Sequence, residues 1–482
     1  MLFFGYASLG IVLTLIGVYV TYLERRPDLE PWHKATLEAE FSLVRQTDVN
    51  SFDAYLKLEE TLFRELDAEV YARTPEQQQR GFLRFASGSL ADPRGREPDW
   101  NRTLWRRHPD ARGSVLLLHG LSDSPYSVRS LARLCYDQGF SVLAMRMPGH
   151  GTAPSGLLKV THQDWMAAVR LGMRYLRAQT ESDQPLYIAG YSTGAALAVE
   201  YAAARLLGED VPEADGLILL SPAIGVSGVA ALAIWQGRLS SLPGLSKVAW
   251  TDILPEYDPY KYNSFTVNAG DQVYRLTLRI ASQLDQLAAP TGVTGMPPII
   301  AFESVADATV SASAVLRALF MRLAPEGHEL VGFDINRHAD ITALLAKPVT
   351  DVRETLLEGP ALPVNLTVVT NANDETDDVV AVWRTANSTV TRTEDLAMSW
   401  PAGVYSLSHV ALPFPPDDPI YGASAPATRD GIFLGNVELH GERGFLAISG
   451  DSLMRLRHNP FWPYLDQRVA AFLNRDRQAE SR

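Results

Sequence analysis

The sequence predicts an α/β fold with a mostly parallel central sheet and helices on both faces. Three observations lead there. Short apolar runs alternate with helix-forming stretches between residues 115 and 222, the pattern of crossover-connected parallel strands. Each run ends in turn-forming residues: His119-Gly120 after the first, Pro148-Gly149 after the second, Ser221-Pro222 after the fourth. The third run, Leu186-Tyr187-Ile188-Ala189, leads into Gly190-Tyr191-Ser192-Thr193-Gly194 and then a helix-forming run from Ala195 to Ala204. Strand, sharp turn and helix with a serine at the apex push that serine toward solvent, and the flanking glycines remove Cβ atoms from the fold-back.

Taken in order, Val115 to Leu118 reads as a buried strand. It is followed by a loop from His119 to Pro125 and a helix over about Tyr126 to Asp137. Phe140 to Met145 is the next strand, ending in Met147-Pro148-Gly149-His150-Gly151. An amphipathic helix over about Gln163 to Arg177 leads to the strand that delivers Ser192, and Gly216 to Leu220 is the strand after it. In parallel sheets, reactive groups gather at the carboxyl ends of the strands, which is where His119, Pro148 and Ser192 all fall.

These motifs resemble the α/β-hydrolase family, in particular its monoacylglycerol lipases and carboxylesterases. The likeness rests on Leu118-His119-Gly120, Pro148-Gly149-His150-Gly151, Gly190 to Gly194 and Ser221-Pro222. It covers about 111–225, resumes at 297–310, and returns near 405–475. The resemblance implies an α/β-hydrolase fold and a lid between about 224 and 296, a stretch rich in apolar and aromatic residues such as Trp235, Trp250 and Tyr262. A lid with an apolar inner face would cover an acyl chain and exclude water.

A serine hydroxyl needs a base to take its proton and an acid to orient that base. Chain order in this fold is Ser, acid, His. The strand Pro298 to Phe302, a short loop and Asp307 before a helix starting near Val310 make Asp307 the expected acid, with Asp374 and Asp377 as alternatives. Two histidines compete for the base. His338 has the compact-family spacing, about thirty residues after Asp307 and just past a strand from Glu329 to Ile335. His409 sits between small residues and the proline-stiffened Leu412-Pro413-Phe414-Pro415-Pro416, with the last helix, Trp462 to Asn474, shortly after it. His409 is the preferred base. Its choice requires an insertion at about 335–400, which holds its own strand-like run Leu366 to Thr370. The expected oxyanion hole is the N–H of Thr193 with that of Leu121. His119 and His150 read as loop supports and Trp165 as packing.

Composition bounds the rest. The chain has 482 residues, 46% hydrophobic and 21% charged, an ordinary globular balance. A formal charge of −13 argues against nucleic acid as a partner. The single cysteine, Cys135, reads as a small buried side chain. No Cys/His cluster has metal-ligand spacing, and no cofactor is implied. Leu2 to Leu23 carries no charge; at about 1.5 Å per residue it reaches about 33 Å, enough for a hydrocarbon core of ~30 Å. We read it as a retained single-pass anchor, residues 1–23. Arg25, Arg26 and Lys34 behind it place the catalytic part on the cytoplasmic face by the positive-inside rule.

The expected organisation is therefore an anchor, an N-terminal helical region over 24–110, a first half of the core over 111–223, the lid over 224–296, and a second half over 297–482. The expected function is a membrane-anchored serine hydrolase of carboxylic, lipid-derived esters. An acyltransferase using the same acyl-enzyme and a non-catalytic membrane scaffold are the other readings.

Overall fold

In the computed structural model, the described residues are 21–45, 47–75, 81–225, 246–307, 312–338, 354–427, 431–435 and 457–475, with single positions at 10, 14, 17, 19, 310 and 455. In chain order these form α1 (Phe52–Glu69), β1 (Leu104–Arg106), β2 (Ser114–Leu118), α2 (Arg129–Asp137), β3 (Ser141–Met145), α3 (His162–Gln179), β4 (Leu186–Tyr191), α4 (Thr193–Leu206) and β5 (Gly216–Leu220). They continue with β6 (Trp250–Asp252), β7 (Phe265–Thr266), α5 (Val267–Leu287), β8 (Ile299–Ser304), α6 (Ala312–Ala318), β9 (Glu329–Phe333), β10 (Asn365–Asn371), β11 (Asp378–Arg384), β12 (Arg392–Ser399) and α7 (Trp462–Leu473).

Ten strands form one sheet in the order β1-β3-β2-β4-β5-β8-β9-β10-β11-β12. From β3 to β10 every neighbouring pair is parallel, and the two ends are closed by antiparallel partners. Register puts Gly190 of β4 opposite Leu118 of β2 and Leu219 of β5, so the serine turn leaves the middle of the sheet. Alternation along the strands separates two cores. Leu116, Leu118, Ile188, Leu217, Leu219 and Ile299 face α3, α4 and α5, while Val115, Leu117, Ala189, Ile218, Leu220 and Ile300 face α2 and α7. Both faces are covered, which is why these strands read as continuous apolar runs rather than alternating ones.

The N-terminal region is built into this core. Ser51 caps α1 by accepting from Ala54 N at 3.2 Å. Phe52 then stacks on Tyr175 of α3, with ring centroids 4.3 Å apart. Arg146, buried just past β3, reaches Glu59 of α1 at 3.0 Å and Glu40 at 3.0 Å. Tyr55 donates to the Arg146 carbonyl at 2.6 Å.

Three expectations need correction or qualification. The stretch expected as a lid divides. Its part from 226 to 245 lies outside the described residues, and α5 is a core helix: Leu276, Ile280 and Leu284 pack in the same cluster as Leu197 and Val199 of α4. An apolar face at helical spacing does not say which layer it joins. The helix expected from Tyr126 opens with a tighter turn, Pro125–Val128, before α2. The proposed anchor, 2–23, lies mostly outside the described residues; among those described, no helix is long and apolar enough to cross a membrane.

Candidate active site

Ser192 stands between β4 and α4 with φ 53° and ψ −114°, a backbone conformation that L-residues rarely adopt. The surroundings hold it there. Its N–H donates to Leu220 O at 2.8 Å, and its carbonyl accepts from Ala196 N and Ala223 N, each at 3.1 Å. A Cβ on Gly194 would run into the Leu118 carbonyl, and one on Gly190 into the Ala195 and Gly194 backbone. Only glycine at both positions lets helix and strands close around the turn.

The inserted strands β10 to β12 carry the chain away from the site, and the loop after them brings it back across the carboxyl ends of the sheet. Tyr405 O accepts from Asn336 N at 2.9 Å, beyond β9. Leu407 O accepts from Ser304 Oγ at 2.6 Å, at the end of β8. Two residues later His409 lies at the end of β4, its Nε2 3.0 Å from Ser192 Oγ and its Nδ1 2.7 Å from Asp307 Oδ2. With a carboxylate at Nδ1, the proton belongs on that nitrogen, which leaves Nε2 to accept from the serine. The second oxygen of Asp307 accepts from Val310 N at 2.9 Å, which fixes the carboxylate plane. Tyr191 OH donates to the His409 carbonyl at 3.3 Å, and its ring lies 5.3 Å from the imidazole. All three side chains are buried, with Ser192 itself 8% exposed.

His338 is elsewhere. Its Nδ1 meets Asp377 Oδ1 at 3.1 Å, with both side chains more than two-fifths exposed. Hydrogen bonds from Asn336 and His338 hold the Asp377 carboxyl below its usual range. Asp374 is exposed in the β10–β11 turn.

Thr193 is the first residue of α4, so its N–H has no acceptor within the helix. Leu121 follows Gly120 in the loop after β2. That loop is braced by His119, whose Nε2 accepts from Met147 N at 3.0 Å and whose Nδ1 lies 2.9 Å from Gly120 O. Burial, then the neighbouring His150, pushes the His119 imidazolium well below its ordinary range, so the ring acts as a neutral strut. His150 is likewise held down, to about 3, by burial. Trp165 is fully buried and donates to Pro148 O at 3.0 Å.

Residues unnoticed in the sequence complete the surroundings. Glu303, at the end of β8, is fully buried; burial pushes its carboxyl far up, and the charge of Asp307 adds to this. A glutamate closing the apolar run Ile299 to Phe302 was a readable signal. Asp123 and Lys261 pair at 2.9 Å, and Tyr262 N donates to Ser122 O at 2.8 Å, so the 246–265 segment is fastened to the Leu121 loop. These are long-range pairings that no spacing reveals.

A strained serine on a strand–turn–helix elbow, faced by a histidine that an aspartate orients, defines the serine-hydrolase class of site on an α/β sheet. Comparison with known proteins agrees. A family model described as Hydrolase_4, serine aminopeptidase, S33, matches residues 109–339. That stretch includes Ser192 and Asp307 and ends before His409. A thermostable monoacylglycerol lipase of Bacillus sp. (strain H-257) is 27% identical over 177 residues, 36% of this chain and 66% of that protein. A carboxylesterase of Bacillus subtilis (strain 168) is 35% identical over 66 residues, 14% of this chain and 27% of that one. The matched stretches thus span less than two-thirds of either relative. Among solved structures, a monoacylglycerol lipase of Paleococcus ferrophilus has a TM-score of 0.36 at 22% identity, covering 48% of this chain and 88% of that one. These likenesses, with the fold and the site, support an α/β-hydrolase serine hydrolase.

Proposed function

We propose that the protein hydrolyses carboxylic esters, lipid-derived ones foremost, through an acyl-enzyme on Ser192. The observation that carries this reading is the unbroken relay Asp307–His409–Ser192, at 2.7 and 3.0 Å. Ser192 Oγ attacks the ester carbonyl carbon as its proton passes to His409 Nε2. The oxyanion that forms is held by the N–H groups of Thr193 and Leu121. Asp307 keeps the Nδ1 proton in place and stabilises the imidazolium. The acyl C–O bond breaks, and the alkoxide leaves with the proton from His409. Water then gives a proton to His409 and its oxygen to the acyl carbon, and the proton returns to Ser192 as the acid departs.

The matched lipase and carboxylesterase support ester chemistry, and Leu254, Val410 and Phe414 along the adjoining cavity suit an acyl chain. In this reading residues 246–265 cover the site and residues 2–23 tether the protein to a membrane, with the catalytic part on the cytoplasmic face. The test is an active-site fluorophosphonate together with turnover of a short-chain ester. Wild type is expected to label and turn over, whereas Ser192→Ala loses labelling and at least about 10⁴-fold of kcat. A Ser192→Ala protein that still labels overturns the proposal. Removing residues 1–23 is expected to release the protein from the membrane fraction; continued pelleting with membranes overturns the tether.

A further inference from the structure

The antiparallel strands β6 and β7 are the two legs of a flap, and the connection between them, residues 253–264, reaches the cavity beside the triad. That cavity measures about 430 Å³, within the range of small-ligand sites. Leu254, Tyr257 and Tyr262 of the flap line it, together with Val410 and Phe414, which follow His409 in the chain. The connection is fastened close to the chemistry. Tyr262 N donates to Ser122 O at 2.8 Å, and Lys261 pairs with Asp123 at 2.9 Å, both in the loop that carries Leu121.

The two legs are held differently. β7 runs straight into the core helix α5, where Thr266 caps the first turn by accepting from Ala269 N at 3.1 Å. β6 is held from more than two hundred residues upstream. Arg26 spreads its guanidinium over three carbonyls, donating to Lys247 O at 2.9 Å, Trp250 O at 2.7 Å and Thr251 O at 2.8 Å. Lys247 Nζ donates back to Arg26 O at 2.8 Å. Leu29 packs with Trp250 and Ile253. A planar fork that engages several acceptors fixes direction as well as distance, which a point charge does not.

His33 carries the hold into the cavity wall. Glu30 N donates to its Nδ1 at 3.0 Å, so the ring proton sits on Nε2 and donates to Ser264 Oγ at 2.9 Å. The same hydroxyl accepts from Leu254 N at 3.1 Å and donates to Leu254 O at 3.0 Å. The edge of the His33 ring also meets Trp250, with centroids 4.8 Å apart. One histidine thus reaches a cavity residue through a single serine. Arg26, Leu29 and His33 all lie upstream of residue 109, where the family match begins.

We propose that Arg26 and His33 are positioning residues for the reaction: they hold the flap on the cavity so that Leu254 and Tyr257 grip the far end of a long acyl chain. This rests on the ester-hydrolase reading above. Neither residue touches the reacting atoms, and the bond-breaking steps remain those of Ser192 and His409. An ester too short to reach the flap gains nothing from the hold, whereas a long one loses contacts when the flap is released.

The experiment measures kcat and KM of the full chain on 4-nitrophenyl acetate and 4-nitrophenyl octanoate. Wild type is expected to cleave both. In Arg26→Gln the KM for the octanoate should rise about tenfold, while kcat for either ester and KM for the acetate stay within about twofold of wild type. His33→Phe keeps a ring against Trp250 and removes the donor to Ser264; it should raise the same KM by about threefold. A merely structural role would not give this split, because a smaller folded fraction lowers kcat on both esters alike and leaves KM unchanged. If Arg26→Gln fails to fold, His33→Phe and Lys247→Met, which removes the bond back to Arg26 O, carry the same test. An equal loss of kcat on both esters, or an unchanged octanoate KM in the folded variants, overturns the proposal and leaves ester hydrolysis standing. Wild type that cleaves the acetate but not the octanoate overturns this proposal alone, and wild type that cleaves neither overturns both readings.

Discussion

His409 and His338 make the same first contact and differ in everything around it. Each presents Nδ1 to an aspartate, His409 to Asp307 at 2.7 Å and His338 to Asp377 at 3.1 Å. The first pair is buried, its Asp307 held by Val310 N and its imidazole by Tyr191 and the Ser304–Leu407 tie. The second pair is open to water, where an ion pair contributes at most about 1 kcal/mol and is screened by salt. A His–Asp pair orients a base only where packing fixes both partners and a nucleophile waits at the other nitrogen. His328 is a third case: buried, with neither ring nitrogen hydrogen-bonded among the described residues. Burial pushes its imidazolium down to about 4, partly offset by Glu326.

Breaking the buried pair has the largest expected effect. His409→Ala should cost about 10⁴-fold or more in kcat, matching the loss from Ser192→Ala, because the triad acts as a unit. Asp307→Asn should approach the same loss by favouring the wrong tautomer, with little change in thermal stability. Steady-state kinetics with one soluble ester measure both. A His409→Ala protein with more than a tenth of wild-type kcat would refute the base assignment.

The unpaired histidine gives a smaller, pH-dependent effect. An unfolded histidine titrates near 6.5, whereas folded His328 does so near 4, so between these values the unfolded chain binds more protons. Stability contributed by neutral His328 is complete above pH 6.5 and is lost as pH falls toward 4. Buried His33, held near 4 by burial and then by Lys34, adds a loss in the same window. His328→Leu should flatten the acid limb of a chemical-denaturation series by on the order of 2 kcal/mol. An unchanged limb in that variant would contradict the assignment.

The exposed pair closes the series. His338→Ala and Asp377→Asn are each expected to leave kcat/KM within about twofold of wild type and to move stability by less than about 1 kcal/mol. A larger loss of activity in either would mean that the exposed pair reaches the chemistry after all.

Local features were legible in the sequence and long-range ones were not. The parallel strands announced themselves because both faces are buried, and β2, β3, β4, β5, β8 and β10 fall within two residues of where their apolar runs lie. Gly190 and Gly194 carried the elbow, since a turn that tight leaves no room for Cβ. The edge strands β1 and β12 were not visible: β12 is mostly exposed and its Arg392 to Ser399 has no apolar run. Helix α5 was misread as lid because one apolar face fits a cap and a core layer equally well. The site divides the same way. Local chemistry around His409 favoured it over His338, whereas spacing alone pointed to His338, which lies against Asp377 rather than Ser192, because β10 to β12 lengthen the chain without moving the site. The Lys261–Asp123 and Arg457–Asp258 pairs join residues more than a hundred positions apart, beyond any reading of pattern.

The carboxylates around Arg146 decide where this molecule can be cut. The family match begins at residue 109, yet a guanidinium sealed behind β3 takes its counter-charges from Glu40 and Glu59, far upstream of that point. A fragment trimmed to the matched boundary keeps the buried cation and discards both anions. Stranding a charge in this way costs about 3–5 kcal/mol, against the roughly 5–15 kcal/mol that holds a whole domain together. Tyr55 and Phe52 would leave with the same excision, uncovering the flank of α3. A fragment that begins at residue 109 is therefore expected to be less stable than one that begins upstream of Glu40, by about the cost of that stranded charge.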